Sequence, residues 1–248
     1  MATNRYAHIA DDIRRQITTG SLSAGDQLPS EAVLARQYSA SHVTVREAIQ
    51  ALENEGLILR KHGRGNFVRH TFGRIAYFAD YASADTWAAD NIAVDVSVRS
   101  GEVESGPRLA SLLGLPMKTL LTEYVYLGHH RGSPCTLARV YVPCDVAKLD
   151  VPLTSPTTPF GEDIRVRLAE VGIEVTRTVS RVTSRLPGAE EAWALRIGTG
   201  TAVLTIERRS WDASGRVVEA ALLVLPGHSS EAIYESPAPA ARGLEATA

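Results

Sequence analysis

The stretch that most constrains the fold is Ser39–Val68, SASHVTVREAIQALENEGLILRKHGRGNFV. Val45, Ala48, Ile49 and Leu52 recur at the three- and four-residue spacing of one helix face, and Gly56 stands where a helix from about His42 to Glu55 would stop. Two short apolar runs then flank KHGRG, a hairpin signal. The outward positions of the helix are Ser41, His42, Thr44 and Arg46, and the hairpin turn holds His62, Gly63 and Arg64. Packing does not ask for hydroxyls, imidazoles and guanidinia at such places. A nucleic acid does, because bases and phosphates are read by donors at a helix N-terminus, and glycines let a turn approach a groove closely.

Two helices precede this unit. Ile9, Ile13 and Ile17 recur every four residues over Tyr6–Thr19, and Gly20 ends the pattern. Ser30 caps a second helix, Glu31–Tyr38, with Leu34 and Val33 expected inward and Arg36 outward. Helix, helix, short turn, helix, hairpin is a helix-turn-helix with a β wing. Charge supports this reading. Residues 1–70 hold nine Lys/Arg against seven Asp/Glu, while the chain as a whole carries −2. Residues 60–70 hold Arg60, Lys61, Arg64 and Arg69 with His62 and His70, and no acid. A local basic patch on a near-neutral chain fits a small DNA reader joined to a second domain.

A length of 248 residues, 44% hydrophobic and 22% charged, suits two globular domains. Residues 1–70 are expected to bind DNA, 71–90 to be a linker, 91–235 to form the second domain, and 236–248 to be a disordered tail. In the second domain the pattern predicts strands at 92–99, 118–127, 135–143, 174–186, 201–211 and 216–225, with helices at 107–114, 160–172 and 188–197. This is an α+β domain with antiparallel hairpins closed by GHHRGSP and DASGR. No apolar run reaches the roughly 18 residues of a membrane span, and the N-terminus lacks the apolar core of a signal peptide. Cys135 and Cys144 make neither a disulfide framework nor a zinc site, so a reduced cytoplasm is the expected location, with no metal and no cofactor.

The segment GDQLPSEAVLARQYSASHVTVREAIQALENEGLILRKHGRGNFV resembles the winged helix-turn-helix of the GntR family of bacterial transcription factors, through G..LPSE..LA, S..TVR.A...L...GL and..G.G.FV. The resemblance implies DNA contacts at Ser41, Thr44, Arg46, His62, Gly63 and Arg64. Ser30 and His42 join the candidate set from the caps and the outward helix face. Two positions depart from the family pattern: Ala32 follows LPSE where the family usually has Arg, and His42 stands where Arg is frequent. Arg36, one turn beyond Ala32, can compensate in part. Residues of about 75–235 resemble the UTRA domain of the HutC subfamily, whose fold is like that of chorismate lyase. The resemblance implies an antiparallel sheet, a small-molecule effector pocket, a homodimer, and a pseudo-palindromic double-stranded operator.

Within that domain Tyr124 and Tyr126 share a face of one predicted strand, Arg139 and Tyr141 a face of the next, and Glu219 a face with Val217, Ala221, Leu223 and Leu225. These five are the candidate effector contacts. A carboxylate on an apolar face needs a partner or a purpose, so Glu219 is either an effector contact or half of an internal salt bridge with Arg139, Arg185 or Arg209. Ala138 and LPGHSS stand where the family's sugar-phosphate sensors carry charged residues, which argues against a phosphorylated amino sugar. His228 is expected in a solvated turn. No nucleophile with an adjacent base and no phosphate loop is present, so no catalytic residue is assigned. The alternatives are a small-molecule enzyme on a chorismate-lyase-like domain and a second domain that only dimerises.

Overall fold

A computed structural model of the chain describes residues 5–61, 63–69, 74–78, 94–149 and 158–234. The first unit runs α1 (Arg5–Thr18), α2 (Glu31–Gln37), α3 (His42–Asn54), β1 (Ile58–Lys61) and β2 (Gly65–Val68). The expected N-cap forms, with Ser30 accepting from the Val33 amide, and the structure adds a second, Ser41, which accepts from the Thr44 amide. Ile9 and Ile13 of α1, Leu34 of α2, Val45, Ala48, Ile49 and Leu52 of α3, and Ile58 and Val68 of the wing make one core. Val33, expected inward, is 40% exposed. A helix as short as α2 has one row to bury, and Leu34 and Ala35 fill it.

The second unit is a six-stranded antiparallel sheet in the order β4-β5-β6-β9-β8-β7. Its strands are β4 (Asp95–Glu104), β5 (Leu120–His130), β6 (Ser133–Pro143), β7 (Arg177–Arg185), β8 (Val203–Trp211) and β9 (Val217–Pro226). The helices are α4 (Pro107–Leu113), α5 (Asp163–Glu170) and α6 (Ala189–Leu195). β4 extends past the predicted 92–99 because β5 pairs with it over its whole length, from Asp95 opposite His129 to Glu104 opposite Leu120. Edge strands β4 and β7 alternate in burial, whereas β6 and β9 are buried almost throughout. The central strands are covered on both faces, so they read as apolar runs. One face packs against Ile164 and Leu168 of α5, and the other against Ala192 and Leu195 of α6 and Leu113 of α4.

Ile75–Phe78, inside the stretch read as linker, is a strand, β3. It pairs in parallel with β10 (Ser230–Ile233), bringing the two ends of the domain together. Residues 79–93 and the tail 236–248 lie outside the described residues. A register shift at Ser210/Trp211 leaves Val218 unpaired. This bulge turns Val217 to the face of Ala220 and Leu222, away from Glu219, which corrects the expected grouping. His129 and His130, expected in the turn, are the last residues of β5, and the turn itself is Arg131-Gly132 with φ of 47° and 76°. No described helix is long and apolar enough to cross a membrane.

Candidate nucleic-acid interface and effector face

The N-terminus of α3 is built for exposure. Ser41 Oγ holds the Thr44 amide at 3.1 Å and lies 2.9 Å from Thr44 Oγ1. That cap fixes the first turn and leaves Ser41, His42 and Arg46 open to solvent, beside Val43 at 63% exposure. Arg46 Nε donates to Glu31 Oε2 at 2.7 Å, and Arg60 Nη2 of β1 donates to Glu31 Oε1 at 3.3 Å. One carboxylate of α2 therefore orients a guanidinium from α3 and another from the wing.

At the wing tip Gly63 has φ +69° and Gly65 φ +107°, conformations that a side chain resists. A Cβ on Gly65 would meet Gln27 Nε2 at 2.7 Å. That amide donates to the Arg64 carbonyl at 2.8 Å, so the segment before α2 props the turn and Arg64 stays exposed. Ser30, Glu31, Arg60, Lys61 and Gly63 line one groove between α2 and the wing. Ser30, Ser41, His42, Thr44, Arg46, Gly63 and Arg64 thus lie on α3, the wing or the groove beside it. Arg36 is exposed in the last turn of α2 without an ion pair among the described residues, and His62 lies outside them. Glu31, Arg60 and Gln27 were not among the sequence candidates. Glu31 sits in the LPSE motif, but its role needs the spatial meeting of three elements.

The effector candidates divide between two faces of the sheet. Tyr124, Tyr126 and Glu219 are on the α5 face, and all three are buried. Arg139 and Tyr141 are on the other face, where both bond to Glu123, at 3.1 and 2.9 Å, and Arg139 reaches Glu190 at 2.6 Å. Arg139 lines a cleft of about 1390 Å³ between this face, α6 and the wing, beside Trp193. The structure does not gather the five into one site, because neighbouring parities of one strand point to opposite sides.

Glu219 has an internal partner, but none of the three expected. Arg208 Nη2 donates to Glu219 Oε1 at 2.6 Å and Nε to the same oxygen at 3.2 Å. Arg208 Nη1 reaches Glu162 Oε1 at 2.9 Å, and Ser210 Oγ donates to Glu219 Oε2 at 2.5 Å. The register explains the choice: Arg208 opposes Ala221 and Ser210 opposes Glu219, so all share a face, whereas Arg209 is turned away and stacks on Trp211. Arg185 pairs with Glu191. Burial pushes the Arg208 pKa down, but the charges of Glu219 and Glu162 outweigh it, so the net shift is upward. Glu162 arrives through Gly161, φ +74°, whose missing side chain lets the loop lie on Val140 and Tyr126. Tyr126 Oη donates to Asp163 Oδ2 at 3.1 Å. Burial raises the Asp163 pKa, and this hydrogen bond opposes the rise. His228, expected in a solvated turn, is partly buried, and burial followed by the charge of Arg69 lowers its pKa to about 4.

Residues 5–68 match the family described as bacterial regulatory proteins, gntR family, and residues 96–230 match the UTRA domain. The chain belongs to the GntR family. A helix-turn-helix transcriptional regulator of Streptomyces coelicolor is 31% identical over 90% of this chain and 89% of its own length. The histidine utilization repressor of Pseudomonas aeruginosa is 30% identical over 93% of this chain and 91% of its own. Among solved structures, PhnF from Mycobacterium smegmatis superposes with a TM-score of 0.55 at 20% identity, covering 93% of this chain and 100% of that one, a likeness of fold. As a GntR-family member of the HutC type, the chain is a DNA-binding transcriptional regulator with a UTRA ligand-binding domain, and not an enzyme. The fold expected from the resemblance is the fold observed, an α+β chain with a winged helix-turn-helix followed by an antiparallel UTRA sheet.

Proposed function

We propose that the protein is a cytoplasmic, homodimeric repressor that reads a pseudo-palindromic operator and releases it when a small molecule occupies the UTRA domain. The observation that carries the DNA-reading assignment is the joint exposure of Ser41, His42 and Arg46 at the start of α3 beside the propped wing tip Gly63–Arg64. One winged domain covers too little DNA for tight specific binding, so two copies on two half-sites are expected. Similarity to a histidine utilization repressor supports repression and a metabolite signal. Tyr124, Tyr126 and Glu219 mark the face on which the effector is proposed to act. The signal would shift the population toward a spacing of the two winged domains that mismatches the half-sites.

The test is binding to DNA upstream of the protein's own gene and its neighbours, with Arg46→Ala as the probe. If Arg46 makes a good base contact, its removal costs about 1–3 kcal/mol of operator affinity. Unchanged affinity and salt dependence in Arg46→Ala would remove the residue from the interface. Absence of specific binding to any fragment would remove the operator reading. A second reading, in which the UTRA domain only dimerises, draws on the neutralisation of Glu219 by Arg208 and Ser210. It predicts that no metabolite shifts melting or DNA release.

A further inference from the structure

Arg208 and Arg69 stand in opposite situations. Arg208 is surrounded by the carboxylates of Glu219 and Glu162 and by the carbonyls of Phe160 and Gly161. Arg69, just past β2, is partly buried, and its Nε is shut off from solvent without a hydrogen-bond partner. Among the described residues its side chain makes no ion pair. A guanidinium taken out of water without a counter-charge is strongly disfavoured. The cost shows as a lowered Arg69 pKa, caused by burial and opposed by the charge of Glu53.

Arg69 lines a cavity of about 380 Å³ at the junction of the two domains. Its winged-domain wall includes Lys61 and Glu55, and its UTRA wall includes His130, Arg131 and His228. Glu55 is already bonded to Arg14 at 2.6 and 2.9 Å, so it is not a dedicated partner for Arg69. His228 Nδ1 is a second buried polar atom without a partner. His228 also seats the end of the recognition helix: a Cβ on Gly56 would lie 2.1 Å from His228 Cγ.

We propose that this junction cavity is a binding site for a small oxyanion, the phosphate or carboxylate of a metabolite, held by Arg69 and His228 and bridging the winged domain to the UTRA domain. A guanidinium offers paired donors matched to either group. A volume of about 380 Å³ fits a small ligand, and walls from both domains leave no room for a duplex. The site is separate from the α5 face of the sheet, so it stands whether or not an effector binds there. An anion at this point would tie the C-terminal end of α3 to the UTRA domain and fix the angle at which α3 is presented.

The test compares the full-length protein in inorganic phosphate, in malonate and in chloride at matched ionic strength. The midpoint of thermal unfolding should rise with phosphate, malonate or both relative to chloride, since a ligand of the folded state stabilises it. The rise should vanish in Arg69→Gln and in His228→Asn and persist in Arg64→Ala. In the unaltered protein the His228 imidazole, followed by proton NMR, should titrate at a higher pH once the anion is present, because the anion offsets the charge of Arg69. Equal melting in all three salts overturns the proposal. So does a rise that survives Arg69→Gln, or one that Arg64→Ala abolishes, which would place the anion on the DNA-facing surface. None of these failures bears on operator binding through Arg46.

Discussion

Replacing Glu219 with Ala tests whether this carboxylate holds the UTRA core together. Arg208 is 1% exposed and Glu219 0%. The substitution leaves a buried guanidinium with one carboxylate, Glu162, where it had two, and removes the carboxylate acceptor of the Ser210 hydroxyl, leaving it Thr178 Oγ1 at 3.2 Å. Breaking a buried, hydrogen-bonded ion pair by removing one member costs about 3–5 kcal/mol, because the charge left behind stays desolvated. For a chain of this size each kcal/mol moves the melting midpoint by about 2–4 °C. The expected fall is therefore roughly 6–20 °C, measured by far-ultraviolet circular dichroism without added metabolite. Glu219→Gln keeps the shape and the contacts to Arg208 and Ser210 but removes the charge, so its loss should be smaller. A combined Arg208→Met, Glu219→Leu and Glu162→Gln protein should recover most of the loss, since no charge is then left unpaired. A Glu219→Ala protein melting within about 2 °C of the parent would refute the structural role, given the same scaling. If that protein also failed to respond to a metabolite, Glu219 would return to the effector site.

Two further outcomes are expected. Arg64→Ala should weaken operator binding evenly across sequences and lower the salt slope by about one, because an exposed wing-tip cation contacts backbone; a loss confined to one base position with the slope intact would mean a base contact. The pKa of His228 is about 4 in the folded chain against an ordinary value of 6.5, so protonation favours the unfolded or undocked state. Its contribution is full above pH 6.5 and is lost as pH falls toward 4. At about 1.4 kcal/mol per pH unit the most it can reach is ~3 kcal/mol. His228→Gln should flatten the pH dependence of melting across that window, and an unchanged slope would assign it to another group.

The winged domain was legible because its signals are local. Ser30 and Ser41 cap the helices that follow them, Gly56 ends α3, and the wing strands are separated by one short turn. Each is decided by neighbours a few residues away, where steric and hydrogen-bonding rules act within one turn of chain. The UTRA strands were legible for a related reason: alternation and turn residues mark them one at a time. β3 was not, since Ile75–Tyr77 are all buried and show no alternation, and its partner β10 lies at the far end of the domain.

The sequence by itself determined the helices and strands whose signals are local, the caps and turns between them, and that Glu219 is a carboxylate among apolar side chains. Tertiary structure decided which groups meet. The β8–β9 register gave Glu219 to Arg208 and denied it to Arg209, and the bulge at Val218 sent Val217 to the other face. Strand parity separated Arg139 and Tyr141 from Tyr124 and Tyr126. Packing of the two domains brought Arg69 and His228 to one cavity, with Arg69 Nε and His228 Nδ1 shut off from solvent. Periodicity reports a residue's own face, but a contact depends on the stagger of a second strand or domain, and stagger is settled by the packing of many side chains at once.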